Sequence, residues 1–390
     1  MADTTIQDFP VIRMVDTIIA QAIGQAASDI HFEPMATQLR IRMRIDGVLF
    51  DCQAVDHTIM QQMLARLKVL SNINIAEKRI PQDGKFCIIN DGHEIDLRVS
   101  TFPTLFGEKV VVRILHRSDH TIALDTLGLD TQACAQVHSL IHRASGFFLV
   151  SGPTGSGKTT TLYAALSVLN NSQKNIITLE DPVEYFVPGI TQGQIHPDAG
   201  FTFEKGIRSL LRQDPDIVMV GEIRDKQTAG IAIEAALTGH LVFSTVHTND
   251  APSVVMRLMD MGIEPFLINA GLTGVVAQRL ARKLCNACKS EVPLTPAHSA
   301  FLAKYSVPLE KVFEARGCSQ CNGLGYKGRI GIFELLIMSS GLRSLIVQHP
   351  SFEQIHAQAR ADGMRTLLED GLNKVGQGII SLQELIRVVV

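Results

Sequence analysis

The segment from Gly152 to Thr159 constrains the fold more than any other part of this 390-residue chain. It reads Gly-Pro-Thr-Gly-Ser-Gly-Lys-Thr, follows the apolar run 147–150 and precedes a helix-forming segment at 160–169. A glycine-rich loop between a strand and a helix lets consecutive backbone N–H groups converge on phosphate oxygens. The sequence therefore predicts a phosphate-binding loop at the edge of a sheet.

This loop predicts a site for a nucleoside triphosphate and its magnesium ion. We expect Lys158 to place its charge on the β and γ phosphates and the Thr159 hydroxyl to ligate Mg²⁺. A fortuitous glycine-rich turn is the alternative, but strand, loop and helix follow one another in register. The residues predicted to bind ATP and Mg²⁺ are Gly152, Pro153, Thr154, Gly155, Ser156, Gly157, Lys158, Thr159 and Thr160.

Short apolar runs alternate with helix-forming segments through the middle of the chain. The runs are 147–150, 176–179, 217–220 and 241–245. Such alternation requires crossover helices, so it predicts an α/β fold with a mostly parallel sheet and ligand sites at the carboxyl ends of the strands. We assign residues 128–284 to this core.

Three residues that follow these strands are candidates for catalysis. Glu222 can hold the metal ion or polarise its water, and Glu184 can orient or deprotonate the attacking water. His247 is placed to sense the γ-phosphate. From the residues alone, a surface carboxylate, an exposed acidic turn and an ordinary hydrogen-bonding histidine are the alternative interpretations of these three positions.

A smaller α+β domain is predicted before this core, over residues 1–117. Apolar residues recur at helical spacing from Val11 to Ala26, so we expect an amphipathic helix that ends near Ser28 and Asp29. Apolar and polar residues then alternate through a predicted antiparallel pair of strands joined by an Asp-Gly turn. A linker is expected over residues 118–127.

Two Cys-x-x-Cys pairs follow the core, at Cys285 and Cys288 and at Cys318 and Cys321. They can supply four thiolates to a tetrahedral Zn²⁺ with no open position for water, so we predict a structural metal. A redox pair and an iron–sulfur cluster are the alternatives. We assign the metal-binding insertion to residues 285–325.

The remaining chain, residues 326–390, is expected to be mainly helical. Three cysteines stand outside the Cys-x-x-Cys pairs: Cys52, Cys87 and Cys134. We expect these three to be small buried residues in the core.

Charge and hydropathy argue against several functional classes. The formal net charge is −3 and the isoelectric point about 6.5, so the overall field gives no reason to expect specific nucleic-acid binding. No apolar run of about 18 residues occurs, so no direct transmembrane insertion is expected. The first ten residues lack the basic and apolar pattern of a secretory signal. We therefore expect a cytoplasmic protein.

Several segments together resemble the type II/type IV secretion ATPase superfamily. Beside the phosphate-binding loop, the resemblance is carried by 178–185 (TLEDPVEY), 211–225 (LRQDPDIVMVGEIRD) and the two ends of 237–249 (LTGH and STVHTN). In the first part of the chain, residues 28–31 with 44–47 and residues 76–79 with 81–84 are similar to the family's second N-terminal domain. The resemblance extends over nearly the whole chain.

This resemblance implies a RecA-like ATPase core preceded by a PAS-like domain, assembled as a homohexamer. It implies that arginines of the N-terminal domain reach phosphates at a subunit junction, and Arg98 and Arg113 match those positions. Exposed strand charges are the alternative interpretation of these two residues. The implied activity is ATP hydrolysis that drives assembly or extension of a type IV pilus or a type II secretion pseudopilus. The tetracysteine insertion resembles those of export and pilus-assembly members rather than retraction motors.

The resemblance also implies partners at the cytoplasmic side of the inner membrane. These are an inner-membrane platform protein and associated cytoplasmic components of the apparatus, through which the chain would associate peripherally with the membrane. Relatives commonly have a further N-terminal domain that docks on the platform. Because only about ten residues precede the first predicted helix here, we expect a short form or a truncation.

Two functions from other classes are consistent with a phosphate-binding loop. One is a RecA-like nucleic-acid translocase, against which the acidic isoelectric point and the scarcity of aromatic residues argue. The other is a nucleotide-regulated scaffold without significant turnover, against which Glu184 and Glu222 argue.

Overall fold

The computed structural model describes residues 10–90, 92–116, 122–305 and 309–390. The chain divides into two compact units, Met1–Asp119 and His120–Val390. The predicted linker lies partly outside the described residues, because 118–121 are not among them. Leu124–Thr126, at its other end, form a 3₁₀ turn.

The first unit is a six-stranded antiparallel sheet with two helices. The elements are α1 (Pro10–Gly24), β1 (Ala27–Pro34), β2 (Gln38–Ile45), β3 (Val48–Asp56), α2 (His57–Leu70), β4 (Gln82–Asn90), β5 (His93–Thr104) and β6 (Gly107–His116). The strand order is β3-β2-β1-β6-β5-β4. Alternation along β2 places Leu39, Ile41 and Met43 in the core, at most 1% exposed, and the arginines between them on the opposite face.

Strand β1 starts where the sequence predicts the end of a helix. Helix α1 ends at Gly24, and Ala26, with a φ of 53°, turns the chain into β1. This strand pairs with β2 on one side and β6 on the other, and its Ile30 and Phe32 are fully buried. Two sets of ladder hydrogen bonds and a buried face outweigh the local helical periodicity of the segment.

The second unit contains the predicted α/β core and the C-terminal elements. Its first elements are α3 (Thr131–Ile141), β7 (Gly146–Ser151), α4 (Lys158–Leu169), β8 (Ile176–Glu180), β9 (Thr191–Gln194), α5 (Phe203–Leu210), β10 (Ile217–Val220), α6 (Lys226–Leu237), β11 (Leu241–Val246), α7 (Pro252–Asp260), α8 (Pro265–Gly271) and β12 (Leu272–Leu284). They are followed by β13 (Ser290–Pro293), α9 (Pro296–Lys304), β14 (Lys311–Glu314), β15 (Tyr326–Ile337), α10 (Ser340–Ile346), α11 (Phe352–Ala361), α12 (Leu367–Gly376) and α13 (Leu382–Val389).

Seven strands of this unit form one sheet in the order β15-β12-β7-β11-β10-β8-β9. All neighbours pair in parallel except β12 and β15, so the predicted α/β fold with a mostly parallel sheet is confirmed. Both faces of the sheet are buried: Phe147 and Leu149 of β7 enter one core, and Phe148 and Val150 enter the other. The carboxyl ends of β7, β8, β10 and β11 therefore meet at one edge, where the predicted site residues follow.

The segment 326–337, which the sequence assigns to a mainly helical region, forms the antiparallel edge strand β15. Its second half is continuously buried, because Phe333 and Leu335 enter one core of the sheet, Leu336 enters the other, and Ile332 packs in the cluster of the C-terminal helices. A buried apolar run of this length does not distinguish a strand from a helix by periodicity. The helices α10 to α13 then follow as expected.

Candidate functional site

The phosphate-binding loop joins β7 directly to α4. Gly157 precedes the first turn of α4 with a φ of 89°, and Gly155 has a φ of 78°, both in the left-handed region. Gly152 is the most restricted: a Cβ there would lie 2.5 Å from Ser156 Oγ and 2.6 Å from the Gln278 carbonyl oxygen. The glycines therefore permit both the turn of the loop and its close packing on β12.

Lys158 is folded back over this loop. Its Nζ donates to the carbonyl oxygens of Gly152, at 2.9 Å, and Pro153, at 3.1 Å. Burial lowers the pKa of Lys158, while the negative charge of Glu222 acts in the opposite direction. The ammonium group and the Glu222 carboxylate are thus close enough to influence each other at the carboxyl edge of the sheet.

Glu222 lies in the turn after β10 and contacts two other side chains. Arg224 donates to its Oε1, and His247 Nε2 lies 3.5 Å from its Oε2. His247 follows β11, and the next residue, Thr248, shares a 2.6 Å hydrogen bond with Ser151 at the end of β7. Because β7, β11 and β10 are neighbours in the sheet, the structure brings Glu222 and His247 to the edge where the loop begins.

Glu184 belongs to an acidic turn that is anchored by buried groups. Glu180, 3% exposed, accepts hydrogen bonds from Thr178, Tyr163 and Gln192. Burial raises the pKa of Glu180, although these three hydrogen bonds oppose the shift. The Glu184 side chain is exposed and forms no ion pair with any residue the structure describes. Its carboxylate is therefore available to solvent or a ligand.

Gln278 on β12 forms hydrogen bonds that connect the loop to α4, a role that the sequence did not predict. This side chain, 1% exposed, donates from Nε2 to the Ser156 carbonyl oxygen at 2.7 Å. Its Oε1 accepts from the Thr161 hydroxyl of α4 at 2.8 Å. A polar residue after the apolar run 275–277, in a strand beside β7, is the signal that could have revealed it.

The next residue, Arg279, adds a second cation to this part of the site. Its guanidinium donates to the Gln278 carbonyl oxygen at 3.1 Å and to the Asn249 carbonyl oxygen at 2.8 Å. Burial lowers its pKa, with Asp250 and Glu334 opposing the shift. Arg279 also contributes to the lowered pKa of Lys158, so it is a second basic group near the loop that the local sequence pattern did not indicate.

Arg98 and Arg113 lie in the first unit, on neighbouring strands β5 and β6. Arg113 Nε donates to Asp29 Oδ1 at 3.0 Å, and its side chain is 64% exposed. Asp29 also lies 3.7 Å from Arg44. The two predicted arginines are therefore adjacent, and one of them is anchored by a buried carboxylate.

The four cysteines of the two Cys-x-x-Cys pairs converge. The Sγ atoms of Cys285 and Cys318 are 3.9 Å apart, those of Cys288 and Cys321 3.8 Å, and those of Cys318 and Cys321 3.7 Å. A tetrahedron with Zn–S bonds of about 2.3 Å has edges of about 3.8 Å. A disulfide would need sulfur atoms about 2.05 Å apart. The donor set and spacing therefore fit one Zn²⁺.

The three remaining cysteines are not core residues, so that prediction was wrong. Cys87 is exposed, and Cys52 and Cys134 are only partly buried. Cys87 and Cys52 lie in strands near the edge of the first sheet, where one face meets solvent. Cys134 donates to Asp125 Oδ1 at 3.1 Å, which its sequence context did not indicate.

Among the described residues, no helix combines the length and apolar character that crossing a membrane requires.

Comparison with known proteins gives a consistent result. A family model described as Type II/IV secretion system protein matches residues 4–387. The type IV pilus assembly ATPase PilB of Myxococcus xanthus is 47% identical over 385 residues, covering 97% of this chain and 68% of that protein. Type II secretion system protein E of Pseudomonas aeruginosa is 45% identical over 381 residues, covering 98% of this chain and 76% of that protein.

A solved structure extends the comparison to the fold. The crystal structure of the pilus retraction motor PilT with bound ADP matches with a TM-score of 0.62 and 26% sequence identity, and the match covers 95% of each chain. Together with the largely parallel sheet, this likeness supports a RecA-like P-loop core.

Proposed function

The chain belongs to the Type II/IV secretion system protein family, and on this basis we propose that it is an ATPase that drives a pilus or secretion machine. The work would be assembly or extension of a type IV pilus or a type II secretion pseudopilus from the cytoplasmic side of the inner membrane. The relatives at 45% and 47% identity carry names from both systems. The structural observation that carries the proposal is that the loop after β7, His247 after β11 and Glu222 after β10 lie at one edge of the sheet.

The positions of the side chains support the following proposed catalytic roles. The loop N–H groups and Lys158 would bind the β and γ phosphates, and Thr159 with Glu222 would hold Mg²⁺, which offsets phosphate charge when bound. Glu184, whose carboxylate is solvent-accessible, would orient or deprotonate the attacking water. His247, 3.5 Å from Glu222, would report the state of the γ-phosphate.

We infer that the active form is a homohexamer in which Arg98 and Arg113 of one copy act on the nucleotide of the next. Arginines supplied to a phosphoryl-transfer site can accelerate turnover about 10³- to 10⁵-fold, so assembly would control hydrolysis. The first unit would correspond to the PAS-like N-terminal domain of the family. Movement of this unit against the ATPase core would transmit work through differences in affinity for the nucleotide states.

The tetracysteine cluster would hold a structural Zn²⁺ and favours assembly over retraction as the motor's task. The platform protein of the inner membrane and associated cytoplasmic components of the apparatus would be the partners. Through them the chain would act in the cytoplasm, peripherally attached to the membrane.

The deciding experiment measures ATPase rate against protein concentration for the wild type, Lys158→Ala and Glu222→Gln. We expect the wild-type rate per chain to rise with concentration and with the cytoplasmic domain of a candidate platform protein. Both variants should lose at least about a hundredfold in turnover, because each removes charge from the phosphate or metal site.

Two outcomes would replace this proposal. Phosphate release that is unchanged in Glu222→Gln would indicate a nucleotide-regulated scaffold. Stimulation by DNA together with salt-dependent DNA binding would indicate a nucleic-acid translocase.

A further inference from the structure

Three cations lie side by side on the outer face of the first unit's sheet. Lys85 on β4 stands opposite Arg98 on β5, and Arg98 stands opposite Arg113 on β6. Directly opposed residues of antiparallel strands point to the same face with their Cβ atoms about 5 Å apart. We call Lys85, Arg98 and Arg113 the cationic row.

Most other charges on this face are neutralised by partners. Glu33, 5% exposed, accepts two hydrogen bonds of 2.8 Å from Arg42 and one of 2.9 Å from Lys109. Arg40 forms a bidentate pair with Asp51, at 2.6 and 2.9 Å. On this part of the face, cationic side chains are therefore paired with carboxylates.

The cationic row departs from that pattern. Arg113 has Asp29 as a counter-ion, but the side chains of Lys85 and Arg98 form no ion pair or hydrogen bond with any described residue. Asp83, the carboxylate nearest to Lys85 along β4, is two positions away and forms no ion pair with it. Like charges placed directly opposite each other destabilise a sheet. A bound anion would remove this repulsion.

We propose that the cationic row is a phosphate-binding site and that Lys85 contacts the terminal phosphates of ATP together with Arg98 and Arg113. This inference rests on the proposed function, in which the two arginines act on the nucleotide of a neighbouring copy. Three strands spaced about 4.8 Å apart spread the row over about 10 Å, which is enough to reach more than one phosphate of a triphosphate. Lys85 serves as a mobile point charge, whereas Arg113 is fixed by Asp29.

Turnover and stability of Lys85→Gln test this assignment together. At saturating Mg-ATP we expect kcat to fall about tenfold or more, because one transition-state contact is lost. Lys85→Arg should keep most of the activity. Arg40→Gln is the matched control, because it removes a carboxylate-paired cation from the same face, and its kcat should stay near the wild-type value. The melting temperature of Lys85→Gln should equal or exceed that of the wild type, because repulsion in the row is relieved.

A second measurement does not depend on hydrolysis. In the Lys158→Ala background, inorganic tripolyphosphate should protect residues 82–116 from hydrogen exchange, and adding Lys85→Gln should remove most of that protection. Equal protection in the two variants would overturn the assignment, as would a kcat of Lys85→Gln that matches Arg40→Gln. If ATP turnover by the wild type does not depend on Lys158, the proposed function is wrong. The exchange measurement would still decide whether the cationic row binds phosphate.

Discussion

At the scale of single residues, the phosphate-binding loop depends on a side chain outside its own motif. Gln278 links the Ser156 carbonyl oxygen to the Thr161 hydroxyl, so one amide joins the loop to the helix that follows it. Both hydrogen bonds are buried, and a buried polar group without a partner costs about 1–3 kcal/mol. The shape of the loop is therefore set partly by β12.

We predict that Gln278→Ala raises the KM for ATP about tenfold, because about 1–2 kcal/mol of loop preorganisation is lost. kcat should change less, because Gln278 touches the loop and α4 rather than the reacting phosphate. Steady-state kinetics over a range of Mg-ATP concentrations would measure this difference.

Gln348→Ala is the control for this substitution, because Gln348 is exposed in the turn after α10 and its side-chain amide donates to the Ser344 carbonyl oxygen, away from the loop. Gln278→Glu should resemble Gln278→Ala, since a carboxylate cannot donate to the Ser156 carbonyl oxygen. A folded Gln278→Ala protein with wild-type KM would show that the loop keeps its shape without this residue.

At the scale of elements, the tetracysteine region and the C-terminal helices form one packed cluster. Leu302 and Val312 of the cysteine-bearing region share a core with Leu372 and Leu385 of α12 and α13. Glu384 joins α13 to β12, because it accepts hydrogen bonds from Arg282 and Arg387. Burial alone would raise the pKa of Glu384, but the hydrogen bonds from these arginines bring it down to about 2. Order in the metal-binding region should therefore support the end of the chain.

We predict that the purified protein carries about one Zn²⁺ per chain. Cys288→Ser or strong chelation should unfold residues 285–325, because four-thiolate ligation contributes about 10 kcal/mol or more to folding. Limited proteolysis and hydrogen exchange should show increased cleavage and exchange there, with 146–151 and 241–246 still protected. Cys87→Ser, which changes an exposed cysteine outside the cluster, is the control. Iron with visible absorption in place of zinc would contradict the assignment.

At the scale of the whole molecule, the proposed catalytic groups lie in two units of one chain. The phosphate-binding loop and Glu222 belong to the second unit, and Arg98 with Arg113 belong to the first. If neighbouring copies share a site, a copy that lacks the arginine can still supply an intact loop. A neighbouring copy that lacks the loop lysine can supply the arginine, and together they form an active site.

We predict that Arg98→Ala and Lys158→Ala are each nearly inactive alone and partly recover ATPase activity when mixed. In a random equimolar hexamer, about a quarter of the junctions would combine an intact loop with an intact arginine, so recovery should approach a quarter of the wild-type rate. Mixing Lys158→Ala with Glu222→Gln is the control and should stay inactive, since both changes disable the same unit. If mixed hexamers of confirmed stoichiometry recover no ATPase activity, the arginines and the loop do not act at a shared site.

Local patterns in the sequence were sufficient to predict the phosphate-binding loop, the mostly parallel sheet and the four cysteines. Each of these depends on residues that are close in sequence or on short apolar runs of a clear period, and their physical requirements are local: glycine where φ is positive, buried residues along a parallel strand and paired thiolates in tight turns. Glu222 and His247 could be placed for the same reason, because each follows a strand whose end is recognisable.

Tertiary structure alone decided the remaining features. Gln278 lies 122 residues from Ser156 in sequence, and only the pairing of β12 with β7 brings them together. The register of β4, β5 and β6 aligns Lys85 with two arginines, and register depends on cross-strand contacts that a single segment does not encode. Strands β1 and β15 and the exposure of Cys87 likewise depend on which neighbours cover each face of a sheet. Pairing between distant segments, rather than local preference, determined these parts of the protein.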